Sequence, residues 1–268
     1  MCVYHGNDPR DFALAVDSVL NQTAVPDEVV LVVDGPVPAE LDRVIEGYAA
    51  LENFRVVRLP ENQGHGNARR AGLEHCTHSL VALMDADDVS TPDRFEKQLA
   101  AFEAHPEASA VGGQISEFVD SPENVVGYRI VPLEDEEIRA YLKIRCPMNQ
   151  VTVMFRKEDV QAVGGYLDWY CNEDYYLWVR MYLAGMKFAN VPEILVNVRV
   201  GEDMYRRRGG WKYFTSEAKL QKYMLNHHII GFGAFVVNVA KRMIVQMMPN
   251  RLRGWVFKTF ARSKNNQV

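Results

Sequence analysis

Residues 29–36 read Val-Val-Leu-Val-Val-Asp-Gly-Pro, five apolar residues that end at a turn. A continuous apolar run of this length, rich in β-branched residues, is typical of a strand buried on both faces of a parallel sheet. Apolar residues recur at helical spacing before it, from Phe12 to Leu20, and after it, from Leu41 to Tyr48. The order helix, strand, helix predicts an α/β fold.

The same alternation continues along the chain. Strands are predicted at 54–59 and 80–84, and a helix opened by a glycine-rich turn lies between them, over residues 66–75. Alternating elements of this kind predict a doubly wound sheet, which binds ligands beyond the carboxyl ends of its strands. Polar residues follow three predicted strands, at Asp34, at 62–66 and at 85–88. We therefore expect a ligand site where these strands end.

Composition narrows the class of protein. The 268 residues suffice for one large α/β domain, and 35 acidic and 30 basic side chains give a net charge of −5, so a nucleic-acid partner is not expected. Four cysteines without paired spacing predict neither a zinc site nor a disulfide framework and favour a cytoplasmic setting. The longest apolar stretch, at 229–239, is too short to cross a bilayer.

The first strand of the predicted sheet is short. Only Met1-Cys2-Val3-Tyr4 precedes the turn at 5–9, whereas a strand usually has about five or six residues. One hypothesis is that the natural start lies several codons upstream.

Three carboxylates follow the predicted strand at 80–84 directly, at Asp85, Asp87 and Asp88. Carboxylates crowded in this way raise one another's pKa unless a cation balances them, and oxygen ligands suit Mg²⁺ or Mn²⁺. The alternative is a solvated acidic turn in which Asp88 or Ser90 caps the next helix.

Four motifs occur in a fixed order along the chain. They are Asp34-Gly35 after the valine-rich strand, Asn62-Gln63-Gly64 before a helix, Met84-Asp85-Ala86-Asp87-Asp88, and Asn172-Glu173-Asp174-Tyr175. In this order they resemble the family 2 glycosyltransferases of GT-A fold, over roughly residues 1–200. Residues 18–23 are also similar to a helix end in bacterial capsule and lipopolysaccharide members.

This resemblance implies a fold class and a domain organisation. The fold would be a GT-A-type doubly wound, mostly parallel, Rossmann-like sheet with a C-terminal helical extension. The catalytic domain would span 1–200, with a donor-binding part at about 1–118 and an acceptor-binding part at about 119–200. A basic loop and an amphipathic helical tail would occupy 201–268.

The resemblance also assigns residues to a nucleotide-sugar donor. In the DxD-like turn, Asp87 would ligate Mn²⁺ or Mg²⁺, and this ion would neutralise the leaving diphosphate. Arg207 belongs to a basic loop, Arg206-Arg207-Arg208, that would fold over the diphosphate; a solvated charge run is the alternative. The implied donor-binding residues are Tyr4, Asp34, Asn62, Arg69, Arg70, Asp85 and Arg207.

Acceptor-side roles follow from the last motif. The resemblance implies that Asp174 is the general base that deprotonates the acceptor hydroxyl and that Glu173 assists it. The alternative is that both acids only favour a helix N-terminus. Asn149, Trp169 and Tyr170 are candidate acceptor contacts, with a turn role for Asn149 and core packing for the two aromatic residues as alternatives.

The C-terminal tail alternates apolar and basic residues. Apolar residues from Ile229 to Met248 are interspersed and followed by lysines and arginines, and Trp255 and Phe257 come later. This pattern predicts a helix that lies in the headgroup region of an anionic leaflet, so that the protein would be peripheral on the inner face of the plasma membrane. The alternative is a helical hairpin that packs on the catalytic domain or in a homodimer.

The resemblance implies a metal-dependent, inverting glycosyltransferase. It would move a sugar from a UDP- or dTDP-sugar to a saccharide acceptor carried on a polyprenyl diphosphate, in bacterial surface polysaccharide synthesis. A nucleotidyltransferase is a second hypothesis, although the turn at 5–9 lacks the usual basic, glycine-rich phosphate loop. A noncatalytic sugar-binding scaffold is a third, although binding alone would not need a base at Asp174.

Overall fold

Parallel strands form the first half of the fold, in a computed structural model that describes residues 1–201 and 209–249. The strands β1 (Cys2–Val3), β2 (Val29–Val33) and β3 (Phe54–Arg58) pair in parallel in the order β1-β2-β3. Every residue of β2 is buried, as its apolar run predicts. The accompanying helices are α1 (Pro9–Leu20), α2 (Ala39–Ala49) and α3 (His65–His75).

The second half adds a mixed sheet. Its strands are β4 (Leu80–Ala82), β5 (Val89–Ser90), β6 (Ala108–Phe118), β7 (Val125–Arg129), β8 (Met154–Arg156) and β9 (Lys187–Arg199). They lie in the order β4-β8-β6-β9-β5, with β7 beside β6. The long strands β6 and β9 are parallel, whereas β8 runs antiparallel to both β4 and β6. A parallel bridge between Cys2 and Asp85 joins the two sheets, so the predicted doubly wound α/β architecture is confirmed.

Helices cover both faces of the sheets. The helices of the second half are α4 (Arg94–Ala104), α5 (Asp135–Leu142), α6 (Lys157–Ala162) and α7 (Glu173–Leu183). One apolar core packs α1, α2 and α4 against the sheet, with Phe12, Ile45 and Phe102 among its members. A second core, which includes Phe155 and Trp178, packs α5, α6 and α7 against the other face. The site therefore rests on a three-layer scaffold.

The apolar segment at 150–155 is only partly extended. Residues Gln150–Thr152 form a 3₁₀ turn, and only Met154–Arg156 forms a strand. The turn is stabilised by Asn149, whose carbonyl oxygen accepts both the N–H and the hydroxyl of Thr152, at 2.8 and 2.7 Å. Because these local bonds replace ladder bonds, the extended segment begins later than the apolar pattern predicts.

The short first strand predicted from the sequence is confirmed. In its own sheet β1 contributes two residues, Cys2 and Val3, which pair with Val32 and Val33, and the terminal ammonium of Met1 donates to the carbonyl oxygen of Val30 at 2.8 Å. A mainly apolar cavity lies between β2 and β4, lined by Val29, Val30, Leu80, Val81 and Ala82 among others.

A helical hairpin completes the described part of the chain. It consists of α8 (Trp211–Asn226) and α9 (Phe232–Met247), so the predicted C-terminal helical extension is confirmed. Within the described residues no helix is both long enough and apolar enough to cross a membrane. The predictions for Arg206–Arg208, including Arg207, and for Trp255 and Phe257 fall outside the described residues.

Candidate active site

Two of the predicted donor-binding segments are held together by Asp34. Its buried carboxylate accepts the backbone N–H groups of Gln63 and Gly64, at 2.7 and 3.0 Å. The amide of Asn62 donates to the carbonyl oxygen of Asp34 at 3.1 Å. Gly35 has φ of +84°, and a Cβ there would lie 2.6 Å from the backbone nitrogen of Asn62, so only glycine fits this turn. The Asp-Gly motif therefore joins the ends of β2 and β3.

Tyr4 and Arg70, two other predicted donor contacts, have local partners. Tyr4 is half-buried and follows β1 directly; its N–H donates to Asn7, and its ring meets His5 edge to face. Arg70 is exposed and donates to the side chain of Asn67 at 2.7 Å. Their roles toward a nucleotide stay predictions.

Arg69 joins the third and fourth motifs. Its guanidinium donates to Asp85 at 3.0 Å and to Glu173 at 2.7 Å, and only 9% of the side chain is exposed. Burial alone would lower the pKa of Arg69, but the two carboxylates raise it above its usual range. The Nη atoms of Arg69 thus bind two carboxylates of the protein itself, and its role toward a donor stays a prediction.

The acidic turn is anchored by Arg199, which the sequence analysis missed. Its backbone N–H donates to the buried Asp88 carboxylate at 2.8 Å, and its Nε donates to the carbonyl oxygen of Asp87 at 3.2 Å. Arg199 also pairs with Asp11 at 2.8 Å. No sequence signal marks Arg199, because it is 111 residues from Asp88 and is brought there by the pairing of β5 with β9.

The chemistry of the turn fits a hard divalent cation. Burial, followed by the charges of Asp87 and Asp85, raises the pKa of Asp88. Burial also opposes ionisation of Asp85, but Arg69, His65 and the terminal ammonium together hold the pKa of Asp85 below its usual range. The helix-capping alternative is wrong, because the N-cap of α4 is Asp93. Over residues 1–201 and 209–249, no group of three or more His, Cys, Asp or Glu side chains is placed to hold a metal ion.

Glu173 and Asp174 begin α7. Glu173 is buried, and its carboxylate pairs with Arg69; Asp174 is half-buried and accepts the N–H of Tyr175 at 2.6 Å. Burial, and then the charge of Glu173, raises the pKa of Asp174 to about 6. The helix dipole alone would favour the charged form, so it does not account for this raised value. A carboxyl group poised near neutrality is suited to proton transfer.

The loop before β8 supplies a further neighbour of Asp174. The thiol of Cys146 lies 3.9 Å from the second carboxylate oxygen of Asp174. Arg129 in turn donates to the carbonyl oxygen of Cys146 at 2.8 Å. The sequence analysis singled out this loop for Asn149, but Asn149 is 1% exposed and its amide donates to the carbonyl oxygens of Gly113 and Arg129. Asn149 therefore holds the loop in place, as its turn alternative implies, and its acceptor contact stays a prediction.

The two predicted aromatic contacts differ in their surroundings. Trp169 packs on Tyr176, with ring centroids 4.3 Å apart, and its indole N–H donates to the carbonyl oxygen of Ser216 on α8. These contacts correspond to the core-packing alternative for Trp169. Tyr170 is 42% exposed, and Lys212 lies 4.0 Å over its ring. Tyr170 stays a candidate acceptor contact.

Comparison with known sequences places this arrangement among sugar-transferring enzymes. The sequence profile of Glycosyl transferase family 2 matches residues 1–163. An uncharacterized glycosyltransferase of Haemophilus influenzae is 38% identical, over 98% of this chain and 97% of that relative. The amylovoran biosynthesis glycosyltransferase AmsE of Erwinia amylovora is 36% identical, over 96% of each chain. The UDP-Gal:alpha-D-GlcNAc-diphosphoundecaprenol beta-1,3-galactosyltransferase of Escherichia coli is 32% identical, over 98% of this chain and 95% of that relative.

Solved structures support the fold. TarS 1–349 of S. aureus, in complex with UDP-GlcNAc, aligns with a TM-score of 0.65 at 17% identity, over 96% of this chain and 75% of that chain. The mannosyltransferase PcManGT of Pyrobaculum calidifontis, in complex with GDP-Man and Mn²⁺, aligns with a TM-score of 0.61 at 16% identity, over 94% and 70%. At such identities the likeness concerns the fold alone, and it confirms the predicted GT-A type.

Proposed function

The chain belongs to glycosyl transferase family 2, and from this premise we propose that it is a metal-dependent, inverting transferase that moves a sugar from a UDP- or dTDP-sugar to a polyprenyl-diphosphate-linked saccharide. The predicted family and enzyme class are confirmed, which removes the nucleotidyltransferase and scaffold hypotheses. The donor, the ion, the acceptor and the stereochemical outcome are the proposed part.

One observation carries the proposal. Arg69 binds Asp85 and Glu173 at 3.0 and 2.7 Å, so the acidic turn and the Glu-Asp pair meet around a single side chain although they lie 88 residues apart (173 − 85). A donor held at the turn would therefore have its reacting carbon close to an acceptor held beside Asp174. A transfer reaction needs this closeness.

Asp174 is suited to act as the base. With a pKa of about 6 it is mostly ionised at neutral pH, yet it is basic enough to take the proton of an acceptor hydroxyl as that oxygen attacks the anomeric carbon. The bond to the diphosphate breaks as the new bond forms on the opposite side, so the configuration inverts. The Tyr175 N–H donates a hydrogen bond to one oxygen of Asp174. The start of α7 thereby sets the orientation of this carboxylate.

Asp87 is the proposed protein ligand of the divalent ion. It lies between Asp85, which Arg69 fixes, and Asp88, which the N–H of Arg199 fixes, so its position is set from both sides. When bound, Mn²⁺ or Mg²⁺ would stabilise the negative charge that grows on the diphosphate. Asp85 is proposed to contact the donor ribose through the carboxylate that Arg69 orients.

The lipid-linked acceptor is supported by a relative. The Escherichia coli enzyme whose name specifies a GlcNAc-diphosphoundecaprenol acceptor is similar to this chain over nearly the whole length of both. A uridine nucleotide is supported by the UDP-galactose in that name and by the UDP-GlcNAc bound to TarS. The identity of the sugar depends on loop contacts that similarity of this degree does not specify.

The test is a transfer assay with a panel of UDP- and dTDP-sugars and a synthetic GlcNAc acceptor on a lipid diphosphate. We expect one donor to support transfer with Mn²⁺ or Mg²⁺, EDTA to abolish it, and Asp87→Asn to lower it by about 100-fold or more. Asp27→Asn, which removes an exposed carboxylate outside the site, is the matched control. Full activity in EDTA, or in Asp87→Asn, would contradict the metal role; no transfer from any donor would contradict the proposed substrates.

A further inference from the structure

The helix α9 is oriented with its polar side inward. Its buried residues are Asn238 and Gln246, both polar. Six large apolar residues of the helix are exposed, at 42–71%, and Lys241 is exposed among them: Phe232, Val236, Val237, Met243, Ile244 and Met247. A surface helix in water normally shows the reverse pattern. The exposed apolar face of α9 is therefore expected to contact a partner other than water.

Polar contacts fix this orientation. The amide of Asn238 donates to the carbonyl oxygen of Lys143 and to the side chain of Gln221, both at 2.9 Å. The half-buried Arg242 pairs with Glu217 on α8 and donates to the carbonyl oxygen of Ile144 at 2.9 Å. Rotating α9 to bury its apolar face would break these bonds inside the protein. The apolar face is therefore held outward by the fold.

The apolar surface extends beyond α9. The N–H of Gly210 donates to the carbonyl oxygen of Gln246 at 3.0 Å, which places the start of α8 beside the end of α9. The first residue of α8 is Trp211, which is 63% exposed. On the other side, Ile144 is 59% exposed next to Arg242. Trp211 and Ile144 are thus further exposed apolar residues close to α9.

The chain segment that contains α9 is positively charged. The described residues 209–249 contain a single acid, Glu217, which Arg242 neutralises. The other basic side chains of this segment are Lys212, Lys219, Lys222 and Lys241. In sequence the chain then continues with five more basic residues and no acid, whereas its overall charge is −5. An apolar face with positive surroundings matches an anionic bilayer surface.

We propose that the outward face of α9 inserts into the headgroup region of an anionic bilayer. A second copy of the chain would bring the same positive hairpin against this face, whereas anionic headgroups balance its charge. The proposal rests on the proposed function only for its purpose, which is to bring a lipid-linked acceptor to Asp174. Ser216 on α8 accepts the indole N–H of Trp169 through its carbonyl oxygen and binds Asn172 through its hydroxyl, so the hairpin packs directly against the segment that leads into Glu173.

Vesicle flotation of the full chain, without donor or acceptor, tests the proposal. We expect binding to vesicles of phosphatidylcholine with phosphatidylglycerol, weaker binding at high salt, and little binding to phosphatidylcholine alone. The double variant Val236→Asn/Ile244→Asn should bind at least about tenfold more weakly, because it places two polar groups on the inserted face. The control Leu14→Asn/Val25→Asn removes two exposed apolar residues elsewhere and should bind like the wild type.

Thermal unfolding of both double variants separates lost insertion from lost folding. Equal binding by wild type and Val236→Asn/Ile244→Asn, or no binding of folded wild type to either vesicle, would overturn the proposal. A concentration-dependent dimer abolished by Val236→Asn/Ile244→Asn would also overturn it and assign the face to a second copy. Donor hydrolysis in lipid-free buffer is measured in parallel: vesicle binding without hydrolysis would count against the proposed function alone, and hydrolysis without vesicle binding against this inference alone.

Discussion

The acidic turn at 85–88 and the Glu173–Asp174 pair share one arginine, but the pKa values of Asp85 and Asp174 shift in opposite directions. In the turn, burial would raise the pKa of Asp85, but Arg69, together with His65 and the terminal ammonium, keeps it below its usual range. In the pair, Arg69 binds Glu173, and burial together with the retained charge of Glu173 raises the pKa of Asp174 to about 6. The ion pair with Arg69 thus helps to keep Asp85 charged, whereas burial and Glu173 bring the pKa of Asp174 close to neutrality, where it can exchange a proton.

The comparison also separates two kinds of residue in one site. Asp85 and Glu173 are fixed by ion pairs of 3.0 Å or less to a side chain that is 9% exposed. Asp174 instead faces the thiol of Cys146 at 3.9 Å, a weak and adaptable contact. We infer that the first two orient the site and that the third takes part in the chemistry.

The largest effect should come from removing the base. Asp174→Asn keeps the size of the side chain and an oxygen for the Tyr175 N–H, but it cannot take a proton. We expect kcat for transfer to fall by about 10³-fold, within the usual range for a general base, while calorimetric affinity for the donor nucleotide changes little. The exposed Asp168→Asn is the matched control and should transfer at the wild-type rate. Transfer by Asp174→Asn within tenfold of wild type would remove Asp174 from this role.

A smaller effect should come from removing the shared cation. Arg69→Gln leaves the buried Glu173 charge unbalanced, so we expect a loss of about 3 kcal/mol in the free energy of unfolding. The acid limb of the pH–rate profile should move to higher pH, because the unbalanced charge disfavours ionisation of Asp174 further. Arg70→Gln, one position along the same helix but exposed, should change neither quantity.

A second substitution shows whether the effect of Arg69 passes through Glu173. Arg69→Gln/Glu173→Gln removes the charge together with its partner, so stability should recover relative to Arg69→Gln, and the acid limb should move below that of the single variant. If the double variant were as unstable as Arg69→Gln and its acid limb unmoved, Arg69 would act through Asp85 or through packing instead.

The parts of the site that follow strand ends could be predicted from the sequence. Asp34, Asn62 and the acidic turn lie where the alternation of strands and helices places them, because side chains that end neighbouring parallel strands share one edge of the sheet. The short β1 was also predicted, because only four residues precede the turn at 5–9.

The contacts that set the charges could not be predicted. Arg69 meets Glu173 across 104 residues, and Arg199 meets Asp88 across 111, and neither spacing has a local pattern. The buried bonds of Asn149 could not be predicted, because a polar residue in a turn looks the same in sequence whether it faces solvent or bonds buried carbonyl groups. For α9, periodicity locates two faces, but the bonds of Asn238 and Arg242 decide which one points inward.

The most direct test of the account is the pH dependence of kcat/KM for sugar transfer, measured for the wild type and for the residual activity of Asp174→Asn. Asp174 acts in its deprotonated form and has a pKa of about 6, so wild-type activity should be level above pH 7 and fall about tenfold for each pH unit below 6. The variant should lack this limb. An identical limb near pH 6 in both proteins, or a wild-type profile level down to pH 4, would contradict the assignment of Asp174 as the base.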